Sequence, residues 1–411
     1  MKKNVLYAQS GGVTTVINCS MYGVIKAAMR SEKIDRVFGA KNGVSGLLQE
    51  ELVDLSKEPQ ETIEMLKYTP SAALGSCRRK LKSEDDFNRL FDVFKAHNIG
   101  YFLYNGGNDS MDTAMKIHKK AQEIGYDLKV IGIPKTVDND LMFTDHCPGY
   151  PSSAKYTALS IFEATLDVKA MSHDSTKVFV MESMGRHAGW IAASSALLKN
   201  SDDEGPHIIL FPERIFNKDR FLSKVEDVVR RFGYCSIVVS EGIKDENGNF
   251  VSDTGMVDNF GNKQLGGVGF QISNIIKNDL NLKVHTALPD YLQRSSRHIS
   301  SLVDVQEAIA VGMKAVEFAL NGESGYMVTI ERLSNEPYIW TVGKVELDKV
   351  ANKTRELPDD FIDEEGFMVT DKFREYALPL IQGEDNIDRW KVPNHYSRLH
   401  WNMVEKKLPK F

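Results

Sequence analysis

The 411-residue sequence has only four cysteines, Cys19, Cys77, Cys147 and Cys235, spread far apart. There is no Cys-x-x-Cys pair and no histidine at zinc-ligand spacing, which leaves no basis for a disulfide framework or a structural metal site. The four read as reduced thiols, mostly buried. Long apolar runs are also missing. The apolar stretch in MKKNVLYAQSGG is too short for the core of a signal peptide, and no later segment reaches the length of a membrane span. The chain is therefore expected to be cytoplasmic, with no membrane partner. An excess of positive charge is absent too: at a net charge of −6 the chain is not built for the nucleic-acid backbone, so any bound anion needs a local cluster of cations. No tandem repeat or low-complexity tract stands out.

What remains is an ordinary globular composition, 42% hydrophobic and 26% charged, with length enough for two packed cores. Asn4–Ala8 is β-prone and ends at Gln9-Ser10-Gly11-Gly12, after which Val16–Met29 has helical apolar spacing. The pattern returns at Ile99–Tyr104, the turn Asn105-Gly106-Gly107-Asn108-Asp109-Ser110 and the helix Met111–Ile124. Further apolar strands at Leu128–Ile133, Val178–Met181 and Ile237–Val239 end in Pro134-Lys135-Thr136, Met184-Gly185-Arg186 and Ser240-Glu241-Gly242. Polar groups that keep falling just after strands mark an α/β fold whose ligands bind beyond the carboxyl ends of a parallel sheet. The expected architecture is two Rossmann-like parallel-sheet domains with the active site in the cleft between them. The first covers residues 1–145 and is completed by part of 293–345, the second covers 146–292, and 350–411 forms a C-terminal extension.

Each motif has a plain reading beside the functional one. Gly11-Gly12 and Gly106-Gly107 let a phosphate approach backbone N–H groups, or are simply tight turns. Pro134-Lys135-Thr136-Val137-Asp138-Asn139-Asp140 sets a cation, a hydroxyl and two carboxylates at one strand end, or caps a helix. Met181-Glu182-Ser183-Met184-Gly185-Arg186 and Tyr291-Leu292-Gln293-Arg294 each end in an arginine whose planar fork suits a phosphate, or forms a surface ion pair.

Together, these segments resemble the phosphofructokinase family, whose members show a double-glycine turn, Gly-Gly-Asp-x-Ser/Thr, Thr-(Ile/Val)-Asp-x-Asp, Met-Gly-Arg, Glu-Gly and Gln-Arg in this order. The resemblance runs from about Val5 to Ser301 and implies transfer of a phosphoryl group to the 1-hydroxyl of fructose 6-phosphate. It makes Asp138 the general base. Thr136, Asp140, Met184, Gly185, Arg186, Glu241, Tyr291 and Arg294 become sugar-phosphate contacts, Glu241 accepting from hydroxyls and Arg294 pairing the 6-phosphate. Arg186 also serves the phosphoryl group in flight. Lys177 stands where relatives place an arginine that reaches across a subunit interface, and Arg78 or Arg79 faces the transferred group. The first domain then binds the donor and the second the sugar phosphate. The resemblance also implies Mg²⁺, a homodimer or homotetramer and a reversible glycolytic reaction. Two departures stand out: the usual metal-binding carboxylate is Asn108, a weaker neutral oxygen ligand, and Ser295-Ser296-Arg297 replaces glycine after Gln293-Arg294.

ATP-using members resemble Gly-Gly-Asp-Gly-Ser at the second turn, where this chain has Asp109 in the fourth position. A carboxylate about 4 Å from a nucleotide phosphate costs on the order of 4 kcal/mol at an effective dielectric near 20, roughly a thousandfold in affinity. Lys135, where ATP users tend to have glycine, supplies a cation for a compact pyrophosphate. Attraction toward one donor joins repulsion of the other, so the pair reads as a pyrophosphate signature. Three alternatives stay open at this stage: an ATP-dependent member, a nicotinamide- or lipid-directed kinase with a similar glycine turn, and a non-catalytic regulatory subunit.

Overall fold

In the computed structural model, which describes residues 2–252, 267–384 and 396–411, the chain divides into two compact units. The first is Met1–Tyr150, Arg294–Thr354 and Gly383–Phe411; the second is Pro151–Gln293 and Arg355–Gln382. The stretch after about residue 350, read as an extension, forms no body of its own and is shared between the two. Cys19, Cys147 and Cys235 are buried and Cys77 is partly exposed, all four as free thiols. Among the described residues no helix is long and apolar enough to cross a membrane.

The first unit is built on a seven-stranded sheet. Its strands are β1 (Lys3–Gln9), β2 (Ile34–Ala40), β3 (Leu52–Asp54), β4 (Ile99–Gly106), β5 (Lys129–Pro134), β10 (Tyr326–Asn335) and β11 (Tyr338–Glu346). They lie in the order β11-β10-β5-β4-β1-β2-β3. The central strands run parallel, while β3 and β11 pair antiparallel at the two edges. Period-two alternation buries both faces. Val5 and Tyr7 of β1 join one core with Leu103, Ile131 and Val328, and Leu6 and Ala8 join the other with Phe102, Tyr104 and Val130.

Helices Ile17–Met29 and Leu302–Leu320 cover the first of these faces and cross in close backbone contact. A Cβ at Gly23 would lie 2.2 Å from the Ile309 carbonyl oxygen, and one at Gly312 would lie 2.1 Å from that of Ser20. Glycine at both positions is what permits the approach. Successive strands turn to opposite sides from β1, toward β2 in one direction and β4 in the other, so the β1/β4 ends form the switch point where this class of sheet opens for ligands.

The second unit carries a four-stranded, all-parallel sheet of β6 (Val178–Ser183), β7 (Ile208–Leu210), β8 (Cys235–Ser240) and β9 (Val284–Ala287), in the order β7-β8-β6-β9. Its core joins Val178, Val180, Ile237 and Val239 to Phe221, Val225 and Val228 of helix Lys218–Phe232 and to Ile272 and Ile276 of helix Val268–Leu280. Segment 355–382 completes it. Ile209 N–H donates to the Phe367 carbonyl at 2.8 Å, and Trp190 packs edge-on against Phe361 with the Arg355 guanidinium 4.7 Å from its ring centre.

The last stretch returns to the first unit and straps across β3. Asn402 and Val404 bond the backbone of Asp54 and Leu52. Two buried glutamates hold the strap: Glu58 accepts from His400 N–H at 3.0 Å, and Glu50 accepts from Lys407 N–H at 2.6 Å and Leu408 N–H at 3.0 Å.

Candidate active site

In the first unit, β1 ends in the Gly11-Gly12 turn, and Gly11 has a φ of 77° that favours glycine. The turn is tied to the following loop: Gly11 N–H donates to the Cys77 carbonyl at 2.9 Å, and Ser76 Oγ donates to the Gly11 carbonyl at 2.7 Å. This brings the guanidinium of the exposed Arg78 to the turn. A Cβ on Gly12 would lie 4.0 Å from Arg78 Nη2 and only 2.8 Å from Arg294 Nη1. Arg79 instead binds Asp86 at 2.8 Å, so of the two candidate arginines Arg78 is the one at the glycine turn. Arg294, read as a sugar-phosphate contact, also lies over this turn.

Lys135, just past the end of β5, reaches the same place and donates to the Gly12 carbonyl at 2.5 Å. It is 3% exposed, and burial pulls its ammonium down to about 8. Asp138 and Asp140 act against that fall, while Arg294 and Arg78 add to it. A buried lysine among two arginines and two carboxylates has its charge only partly compensated, which is what an anion-binding position requires.

The loop after Lys135 holds the proposed base. Thr136 Oγ1 accepts from Asp138 N–H at 3.1 Å, and Thr136 N–H donates to the Pro148 carbonyl at 3.2 Å. Asn108, the first residue of helix Asn108–Glu123, donates through Nδ2 to Asp140 Oδ2 at 3.1 Å. Its Oδ1 is buried with no hydrogen-bond partner among the described residues. Asp109 lies in the first turn of this helix with its side chain 71% exposed, paired with Lys80 at 3.0 Å. Lys80 was not singled out in the sequence, where nothing near it marks the pairing. The exposure and the lysine both reduce the repulsion that an isolated Asp109 would exert on a nucleotide.

In the second unit, Met184-Gly185-Arg186 follows β6 and Glu241 follows the adjacent β8. Glu241 Oε1 accepts from Gly185 N–H at 3.3 Å, and Gln293 Oε1 accepts from Met184 N–H at 3.0 Å. Gly185 has a φ of 132°, and a Cβ there would lie 2.6 Å from the Ala188 carbonyl oxygen. Glycine is needed to place Arg186 beyond the sheet. Tyr291 is exposed. Lys177 is not brought to this set. It precedes β6, at the far end of a six-residue strand about 20 Å long, and donates to the carbonyls of Ser172 and His173.

Comparison with known proteins gives the family. A phosphofructokinase family profile matches residues 4–319. The chain is 49% identical over 413 residues to the pyrophosphate--fructose 6-phosphate 1-phosphotransferase of Halomonas elongata, covering 99% of each chain. It is 52% identical to the protein of the same name from Xanthomonas campestris, covering 99% of this chain and 98% of the other. A crystal structure of the pyrophosphate-dependent phosphofructokinase of Nitrosospira multiformis superposes with a TM-score of 0.93 at 49% identity, over 100% of this chain and 99% of that one. The chain belongs to the phosphofructokinase family.

Proposed function

We propose that the chain transfers a phosphoryl group from pyrophosphate to the 1-hydroxyl of D-fructose 6-phosphate, giving fructose 1,6-bisphosphate and phosphate, reversibly and in glycolysis. The observation that carries the choice of donor is Lys135, a buried ammonium against the Gly11-Gly12 turn with Arg78 and Arg294 beside it. A pyrophosphate concentrates its charge in a small volume, and a cluster of cations around one buried ammonium favours such an anion over a longer nucleotide. Asp109 adds a negative group at the helix N-terminus, where a nucleotide phosphate would otherwise be favoured.

Asp138 accepts the proton of the 1-hydroxyl as the oxygen attacks. Arg78, Lys135 and Arg294 offset the charge that develops on the phosphoryl group. Met184, Gly185, Arg186, Glu241 and Tyr291 recognise the sugar phosphate, Glu241 accepting from its hydroxyls, and Thr136 and Asp140 flank the base.

Mg²⁺ fits the residues present. The orphaned Asn108 Oδ1 and the Asp140 carboxylate are two oxygen donors that would hold the ion together with oxygens of the pyrophosphate and water. When bound, the ion would neutralise donor oxygens. Among the described residues there is no cluster of three or more His, Cys, Asp or Glu side chains able to hold a metal without the donor. The enzyme works in the cytoplasm as a homodimer or homotetramer, in which Lys177 serves the sugar phosphate of a neighbouring subunit.

The decisive assay compares pyrophosphate with ATP as donor, with Mg²⁺, in one preparation. Turnover with pyrophosphate alone is expected. Asp109→Gly combined with Lys135→Gly is expected to lower pyrophosphate use and admit ATP, and a double mutant with no gain on ATP counts against the roles given to both residues.

A further inference from the structure

The loop carrying Asp138 closes on itself. Thr136 N–H bonds Pro148, Cys147 N–H donates to Asn139 Oδ1 at 2.9 Å, and Gly149 N–H donates to Asp304 Oδ1 of helix Leu302–Leu320 at 2.8 Å. Asn139 is in the left-handed region at φ 55°, which a polar side chain bonding locally makes tolerable. At the middle of the returning strand of this loop sits His146, with no exposed surface.

Both ring nitrogens of His146 meet carboxylates. Nδ1 is 2.7 Å from Asp145 Oδ2 and Nε2 is 2.5 Å from Glu307 Oε2 of helix Leu302–Leu320. A carboxylate only accepts, so hydrogens on both nitrogens satisfy the two contacts, and that form of the ring is the imidazolium. The two acids are held in turn from β10 and β11. Arg332 binds Asp145 through Nε at 3.0 Å and Nη2 at 2.8 Å, and Tyr338 Oη donates to Glu307 Oε1 at 2.7 Å. The Arg332 guanidinium lies 5.1 Å from the Tyr338 ring centre. Two anions and two cations thus form one network, buried at His146 and Glu307, that spans the loop, a helix and two strands.

We infer that His146 is a positioning residue for phosphoryl transfer: as an imidazolium between Asp145 and Glu307, it fixes the loop that aims Asp138. The inference rests on the reading of Asp138 as the base. A ring that lost its proton would leave one carboxylate facing a lone pair, and residues 146–149 would lose the anchor on which Thr136 and Asn139 lean. Asp138 acts in the chemical step, so loss of the network is expected to fall chiefly on turnover.

Its own environment sets the range over which this operates. Burial works against the charge on His146, but Glu307 and Asp145 outweigh it and lift the ring to about 9. A folded value above the unfolded one gives a contribution that is complete below about 6.5 and is lost as pH rises through about 9. The test is His146→Gln in the full chain, with kcat, KM for pyrophosphate and melting temperature measured together. A folded variant with kcat down about tenfold or more and KM within about twofold is expected; wild-type kcat overturns the inference. If that variant does not fold, Glu307→Gln decides, since it keeps shape and hydrogen bonding but removes one anion. The alkaline limb of kcat should move down by about one pH unit, and an unmoved limb with unchanged kcat overturns the positioning role. Asp138→Asn is measured alongside. If it retains near-normal turnover, the reading of the base fails, whatever His146 does.

Discussion

Lys135 carries opposite obligations to the fold and to the donor. Its folded value of about 8 lies below the ordinary lysine value, so the unfolded chain binds more protons between about 8 and 10.4 and stability rises with pH across that window. Donor affinity goes the other way, because the cation that attracts pyrophosphate disappears over the same range. KM for pyrophosphate is therefore expected to climb as pH passes about 8. Lys135→Met should have a high KM whose remaining pH dependence reflects only the donor's own titration. If wild type and variant change in parallel, Lys135 is not the titrating group. Because Lys135 also offsets charge on the phosphoryl group in flight, its titration reaches kcat as well, and the alkaline limb owed to His146 is the one that persists in Lys135→Met.

Asp138, Lys135 and the two glycine turns were visible in the sequence because each sits immediately after an apolar strand run. Other parts of the same site were hidden, because they depend on side chains meeting across long sequence separations. Nothing local tells that Arg78 rather than Arg79 reaches the glycine turn; that follows from Asp86, which caps helix Glu84–Ala96 and takes Arg79. Nothing local places Lys80 on Asp109 or Glu307 on His146. The structure sets Lys177 at the opposite end of β6 from Met184, away from the sugar-phosphate residues of its own subunit.

At the scale of elements, the strands that alternate or run apolar before glycine were found within a residue or two, as with Asn4–Ala8 inside β1 and Leu128–Ile133 against β5. The edge strands β3 and β11 were not: β3 is only three residues long, too short for a period to show, and exposed positions interrupt the apolar pattern of β11. The crossing of helices Ile17–Met29 and Leu302–Leu320 was equally silent, since a glycine inside a helix reads as a weakness unless its partner is known. The structure turns it into a prediction. Gly312→Ala would gain up to about 1 kcal/mol of helix propensity, yet its Cβ meets backbone that moves only with the whole helix. A net loss of about 1–3 kcal/mol is expected, seen as a lower melting temperature by calorimetry. An unchanged or raised value would mean the two helices are not packed this closely.

For the whole molecule, the composition already pointed to two α/β bodies, and two parallel-dominated sheets are what the structure contains. What composition did not convey is that the late part of the chain is divided between them. Charged, aromatic-containing segments with no regular period look like an appendage until their partners are seen: Trp190 for Phe361 and Tyr376, and Glu50 and Glu58 for the strap over β3. Deleting residues 396–411 takes the donors of Lys407, Leu408 and His400 from two buried carboxylates. Charge-assisted hydrogen bonds are worth about 1.5–3 kcal/mol each, so a loss of at least about 3 kcal/mol and a melting temperature lower by roughly 6 °C or more are expected. A truncated chain that melts at the same temperature would show that the strap contributes nothing.

The strap also bears on the order in which the protein comes into being. Domains commonly fold one after another as a chain leaves the ribosome, at about 5–20 residues per second. Here the first unit lacks β10 and β11 until Glu346 exists and its strap until Leu408 does, and the second lacks Phe367 until that residue is made. Most of the chain is therefore made while both sheets are unfinished, a period in which open strand edges can pair with other chains.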